Sequence, residues 1–259
     1  ELALSRISHR GEQKLIAVVR DITERKRVER MQSEFVSTVS HELRTPLTSI
    51  AGALGLINGG ALGAVPESMA AMLGIAQQNS QRLSLLINDL LDMEKLNAGH
   101  MRFDLQACAL RPLLEQALQA NQAYADEYRV HWQLLAVPES ANVLVDAQRF
   151  LQVMANLLSN AAKHSPANSA VEIHCQVSGQ QLRIEVRDYG SGIPEAFRAR
   201  IFSKFAQADS SDRRQLGGTG LGLAISRELV ERMHGQIGFN CEQGHGTCFW
   251  FSLPMASPP

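Results

Sequence analysis

The chain has 259 residues, 45% apolar and 20% charged, with 25 basic against 26 acidic side chains and a net charge of −1. This is the composition of an ordinary soluble protein of one large or two modest domains, without the basic excess that marks nucleic-acid partners, so none is expected. No run approaches the ~18–20 apolar residues that span a bilayer, and the polar N-terminal stretch lacks the apolar region of a signal peptide. A cytoplasmic fragment is therefore expected. Because the chain opens on Glu1 rather than Met, a membrane anchor is left to segments outside it. The four cysteines, Cys108, Cys175, Cys241 and Cys248, are scattered without a CxxC, which fits a reducing compartment and predicts neither a disulfide framework nor a metal cluster.

Residues 11–24 read as a strand, centred on Leu15–Val19, running into a helix that Asp21 can cap. The helical pattern continues to about Ile57, with Phe35, Val39, Leu43, Leu47 and Ile50 at spacings of three and four. Pro46 lies inside it and should bend the helix or loosen a turn. A glycine-rich break at 58–63 follows, and Pro66 suits the start of a second helix. That helix carries Met69, Met72, Ala76, Asn79, Leu83, Leu86, Leu90 and Met93 in a coiled-coil-like repeat. Two helices with narrow apolar seams and a short loop form an antiparallel hairpin whose seam stays half covered. Pairing with a second copy into a four-helix bundle is the economical solution, so a homodimer through residues ~28–96 is predicted.

After Asn97–His100 the pattern changes. Helical stretches at 110–125 and 146–163 alternate with strand-like runs at 130–135, 143–145, 171–177, 182–188, 236–240 and 247–253. The fold class is α+β: the helical hairpin, then an α/β sandwich with a mixed sheet. The domains are placed at 1–27, 28–98 and 99–259.

Two clusters carry chemistry. On a helical wheel His41 lies about 200° from both Val39 and Leu43, so it points away from the seam into solvent. Glu42 is beside it, and Thr45 shares its face one turn on. A neutral imidazole is a competent nucleophile near neutral pH, and a carboxylate on one ring nitrogen fixes the tautomer and accepts a proton as the other attacks phosphorus.

The second cluster contains no GxxxxGK[ST], which excludes a P-loop. Instead Asn156 and Asn160 stand at i, i+4 on one helix face, and their neutral amide oxygens suit Mg²⁺. Lys163 and His164 follow. Taken alone, such an Asn pair is more often structural. Asp188-Tyr189-Gly190-Ser191-Gly192-Ile193 follows an apolar strand, where a carboxylate can accept from an adenine amino group and two glycines let backbone pass close to a flat base. Ile201–Phe205 leads into a polar stretch, Gln207 to Gln215, and Gly217-Gly218-Thr219-Gly220-Leu221-Gly222 then opens a helix. Glycine amides at a helix N-terminus are a natural phosphate site. Gly244–Thr247 turns into the last strand.

The string Phe35–Ile50 around His41 resembles the phospho-accepting box of sensor histidine kinases, and the ordered motifs from Asn156 to Gly222 resemble their ATP-binding domain, which is shared with gyrase and heat-shock chaperone ATPases. The resemblance implies ATP with Mg²⁺, autophosphorylation of His41, and transfer to an Asp of a response-regulator receiver domain. It gives Glu42 the role of base and Thr45 that of positioning water in dephosphorylation. Asn160 with Asn156 would hold Mg²⁺, Lys163 would meet phosphate, and Asp188 would read adenine. Gly218, Gly220 and Gly222 would wrap the phosphates. Within the same motifs His164, Gly190, Gly192, Ile193, Phe202, Lys204, Phe205, Thr219, Leu221 and Thr247 are further candidate nucleotide-binding residues. Residues 11–26 look like the last strand and exit of a PAS domain. The rivals are an ATP-driven clamp, in which His41 is incidental, and a scaffold that transfers no phosphate. Asn156, standing where the related hydrolases carry a water-activating Glu, favours the kinase over the clamp.

Overall fold

A computed structural model describes residues 2–9, 12–61, 63, 65–138, 141–207, 219–241 and 246–256. Strand β1 (Leu2–His9) pairs antiparallel with β2 (Glu12–Val19), from Leu2 opposite Val19 to His9 opposite Glu12. The sequence reading anticipates β2 but not β1. Asp21 Oδ1 accepts from the Thr23 amide at 2.8 Å, where α1 (Thr23–Asn58) begins. Helix α1 continues through Pro46. Beyond that residue the hydroxyls of Thr48 and Ser49 donate back to the carbonyls of Arg44 and Thr45, at 2.9 and 3.2 Å, the usual outlet for such side chains inside a helix.

Helix α2 (Glu67–Asn97) returns antiparallel after Pro66. The faces that meet are Ser40, Arg44 and Leu47 on α1 against Ser80, Ile87 and Leu91 on α2. Arg44 also donates to Asn88 Oδ1 at 2.9 Å. The predicted seam lies beside this contact: within a single chain Leu43 stays 44% exposed, Ile50 51% and Met72 73%. Among the described side chains of the expected α1 stripe, Leu47 alone is closed over by the chain's own second helix, because Ser40 and Arg44 rather than Val39 and Leu43 share its side.

Past Gly99, whose positive φ of 67° turns the chain, a short strand β3 (Gln106–Ala109) precedes α3 (Leu110–Ala120), α4 (Gln122–Tyr128) and β4 (His131–Leu134). Strand β5 (Asn142–Val145) pairs antiparallel with β3. Asp146 caps α5 (Ala147–His164) by accepting from the amides of Gln148 and Arg149. There follow β6 (Ala170–Ser178), β7 (Gln181–Asp188), the single turn α6 (Glu195–Arg198), α7 (Gly222–Arg232), β8 (Gln236–Cys241) and β9 (Thr247–Pro254). The main sheet has the order β4-β6-β7-β9-β8, with β4 parallel to β6 and every other pair antiparallel.

Period-two burial on β6, β7 and β9 turns Ile173, Ile184, Val186 and Phe251 toward one side. There they meet the apolar stripe of α5, with Phe150 edge-on to Phe251 at 5.8 Å, and that of α7 through Ile225 and Leu229. The expected two-layer sandwich with a mixed sheet is observed. Besides β1, the reading missed β3, the single turn α6 and the break between α3 and α4 at Asn121, whose amide group folds back onto the Ala117 carbonyl at 2.7 Å.

Candidate functional site

Helix α5 sinks Met154, Leu157, Leu158 and Ala161 into the core, which leaves Asn156, Asn160 and Lys163 half-buried along its flank. Asn156 is tied to the start of α7: its Nδ2 donates to the Gly222 carbonyl at 3.0 Å and to Ser226 Oγ at 3.1 Å. Gly222 permits that approach, since a Cβ there would stand 3.3 Å from Asn156 Oδ1. With both amide hydrogens engaged, Asn156 Oδ1 is held as an acceptor beside the glycine-rich turn. Burial pushes the Lys163 ammonium below its ordinary value; Glu127 and Asp89 pull it back up, and Arg82 adds to the lowering. His164 is exposed at the end of α5.

Asp188 closes β7 in a buried position. Its Oδ1 accepts from the amides of Gly190, at 2.9 Å, and Thr247, at 3.3 Å. Burial raises its carboxyl above the ordinary range, and these two bonds only partly offset that. Gly190 has no room for a side chain, because a Cβ would run into the backbone carbonyl of His164. The turn after β7 thus passes directly against the C-terminus of α5, and Gly192 takes a φ of 75°. Ile193 is buried, and its amide points at Cys241 Sγ at 3.0 Å. Buried Thr247 reaches the same sulfur through its hydroxyl at 3.8 Å. Asp188, Gly190, Ile193 and Thr247 therefore form one corner, joined through α5 and α7 to Asn156 and Gly222.

Other candidates are turned toward α2. Phe202 is the exception and packs on Phe239 of β8 at 6.2 Å. Lys204 Nζ donates to Asn97 Oδ1 at 3.1 Å. Phe205, with a left-handed φ of 59°, lies over Gly220, where a Cβ would meet its backbone at 3.0 Å. Phe205 and Leu221 line an apolar space with Leu83, Leu86, Ile87 and Leu90. Thr219 Oγ1 donates to Asp89 Oδ2 at 2.6 Å and accepts from the Leu221 amide at 3.1 Å. Gly218 and the polar stretch 208–217 lie outside the described residues.

His41, Glu42 and Thr45 are all exposed on α1, with buried Ser40 on the side that meets α2. The exposure of His41 agrees with the wheel, while Val39 and Leu43, the seam it was expected to turn away from, are exposed in the single chain as well. Sequence reasoning missed Asp89, Ser226 and Cys241. Ser226 had a legible signal, four residues after Gly222 on the same helix face; the other two become visible only once distant elements are packed.

Two family models match the chain. Residues 31–99 match the His Kinase A (phospho-acceptor) domain, and residues 145–257 match the histidine kinase-, DNA gyrase B- and HSP90-like ATPase. The chain belongs to the sensor histidine kinases. The alginate biosynthesis sensor protein KinB of Pseudomonas aeruginosa is 35% identical over 240 residues, 93% of this chain. The sensor protein kinase WalK of Staphylococcus saprophyticus is 34% identical over 92% of it. This histidine kinase chain spans only 40% and 39% of those two relatives. Among solved structures, full-length ShkA in complex with AMPPNP superposes with a TM-score of 0.69 at 29% identity, covering 87% of this chain and 46% of that one. The Acinetobacter baumannii histidine kinase AdeS, at 23% identity, shares the fold with a TM-score of 0.56 over 84% of this chain. Among the described residues no helix is long and apolar enough to cross a membrane.

Proposed function

We propose that the chain is the catalytic core of a kinase that phosphorylates its own His41 from ATP and passes the phosphoryl group to an Asp of a response-regulator receiver domain. The carrying observation is that one chain presents an exposed imidazole flanked by Glu42 and, on separate elements, a buried carboxylate, Asp188, beside a glycine-only approach at Gly190. Both bonds on Asp188 fall on Oδ1, so Oδ2 is the atom offered to an adenine amino group. Asn156 Oδ1 and Asn160 fit Mg²⁺, whose chemistry is to neutralise phosphate charge. Lys163 and the turn at Thr219–Gly222 serve the phosphates, with Gly220 and Leu221 bringing backbone amides close. A ring nitrogen of His41 attacks the γ-phosphorus, the P–N bond forms, the bridging P–O bond breaks, ADP leaves, and the ring proton passes to Glu42. Thr45 positions water when the phospho-regulator is dephosphorylated. The exposed stripe of Val39, Leu43, Ile50 and Met72 supports pairing of two hairpins into a four-helix bundle, and β1–β2 is read as the end of a PAS domain.

The test is incubation with γ-labelled ATP and Mg²⁺, wild type beside His41→Ala. Acid-labile, base-stable label on the wild type alone is expected. Equal phosphate release by both proteins, with no label on either, refutes the kinase and leaves the ATP-driven clamp.

A further inference from the structure

We propose that Asp89 of α2 is a built-in competitor for the nucleotide phosphates, so that docking of the ATP-binding domain on the hairpin and binding of ATP oppose each other. The proposal rests on the nucleotide reading above. Asp89 is the one carboxylate of the hairpin described as reaching the glycine-rich turn: Thr219 donates to it at 2.6 Å, and Thr219 in turn accepts from the Leu221 amide. That turn opens α7, whose N-terminal amides and dipole favour an anion. Lys163 is close enough for its charge to couple with Asp89, each stabilising the ionised form of the other. A hydroxyl, a helix N-terminus and a lysine are what a nucleotide phosphate would also require. Asp89 thus supplies from the hairpin the negative charge that this corner is built to accept.

Two anions cannot share the corner without repulsion in a half-buried setting. Burial already raises the Asp89 carboxyl above its ordinary value, so its charge is held there at a cost, and Asp92 adds to it. The apolar seat beside it is loosely filled: Phe205 and Leu221 face Leu83, Leu86 and Leu90 across a cavity of about 220 Å³. Further along α2, Met93 and Leu96 are buried in the core of the ATP-binding part and Asp92 accepts from Gln152, so the contest concerns the local contact at Asp89, where the apolar packing is loose, and not the whole of the α2 junction.

The experiment measures binding of a non-hydrolysable ATP analogue and of adenosine to the whole chain by calorimetry at low salt, for wild type, Asp89→Asn and Asp89→Glu. Asn keeps an acceptor for Thr219 and removes only the charge. Asp89→Asn is expected to bind the ATP analogue roughly tenfold more tightly while adenosine affinity stays unchanged; Asp89→Glu should bind as weakly as wild type. Unchanged analogue affinity in Asp89→Asn overturns the proposal. So does an equal gain for adenosine, which would mean that undocking opens the pocket without any contest between charges. Absence of analogue binding in all three proteins would refute the nucleotide reading itself, and this proposal with it.

Discussion

Asn156 is the residue whose structural and chemical roles can be separated. Its amide nitrogen holds the first turn of α7 through the Gly222 carbonyl and Ser226 Oγ, and Ser226 is fully buried. Asn156→Ala removes two hydrogen bonds, each with a net worth of about 1 kcal/mol, for a loss of about 2 kcal/mol. In a domain of this size about 1 kcal/mol moves the midpoint by about 2–4 °C, so a fall of about 4–8 °C is expected. The chain's two tryptophans, Trp132 and Trp250, both lie in the main sheet, so indole fluorescence follows melting of the ATP-binding part alone. Asn156→Asp is the informative companion. It keeps an oxygen for Mg²⁺ but cannot donate to the Gly222 carbonyl, so it should lose stability as well. If Asn156→Asp melts within about 1 °C of wild type while Mg²⁺-dependent nucleotide binding falls, the clasp contributes nothing and the reasoning fails.

The Asp188 carboxyl is raised by burial, so its ionised form is penalised in the folded state. Relative to Asp188→Asn, which can still accept from both amides, wild type should therefore be at its best below the ordinary value of 3.8 and lose ground as pH rises through the raised value. Denaturant midpoints at several pH values check this; a difference independent of pH refutes it, and nucleotide affinity should drop in the variant throughout. Gly190→Ala forces a methyl group into the His164 carbonyl, at a cost of about 1–3 kcal/mol, and should weaken binding of a fluorescent nucleotide more than tenfold. Leu43→Lys places a charge on the exposed stripe of α1 without touching the Leu47–Ile87–Leu91 cluster. Sedimentation should show a shift from dimer to monomer with nucleotide binding retained, and a persistent dimer would exclude this stripe as the interface.

Much of the fold was legible because the apolar pattern changes period where the structure changes layer. The alternation Val171-Ile173-Cys175 and Leu182-Ile184-Val186 marks two sheet strands directly, and the three-four spacing of α5 marks the stripe that packs on them. Strand β3 was not legible, since Gln106–Ala109 has no alternation and owes its form to pairing with β5. Strand β1 was missed for another reason: its Leu2, Leu4 and Ile7 are sparse, and only the partner β2 carries a β-branched run. At the site, Asp188 and the glycines could be found because glycine at a fixed spacing has few other uses. The engagement of Asn156 with α7 could not be found, because it joins residues 66 apart.

The hairpin shows why a pattern names a face but not its occupant. Along α2, Ser80, Ile87 and Leu91 fall within an arc of about 40° on the helical wheel and meet α1, while Leu83, Leu86 and Leu90 fall about 90° away and face Phe205 and Leu221. The repeat read from the sequence contains the second set and gives it to pairing with a second copy; within one chain Leu83 still stands exposed beside Phe205 and Leu221. The physics of the pattern allows both occupants: an apolar stripe records that water is excluded, and a helix, a loop or a second copy excludes it equally well. Polar residues beside the stripe are more discriminating, because each needs a partner of definite geometry. Arg44 with Asn88 identifies the α1 contact, and Thr219 with Asp89 and Lys204 with Asn97 identify the contact with the ATP-binding part. Substituting the polar member of a pair should therefore change which partner α2 holds, whereas substituting the neighbouring leucines should weaken several contacts at once.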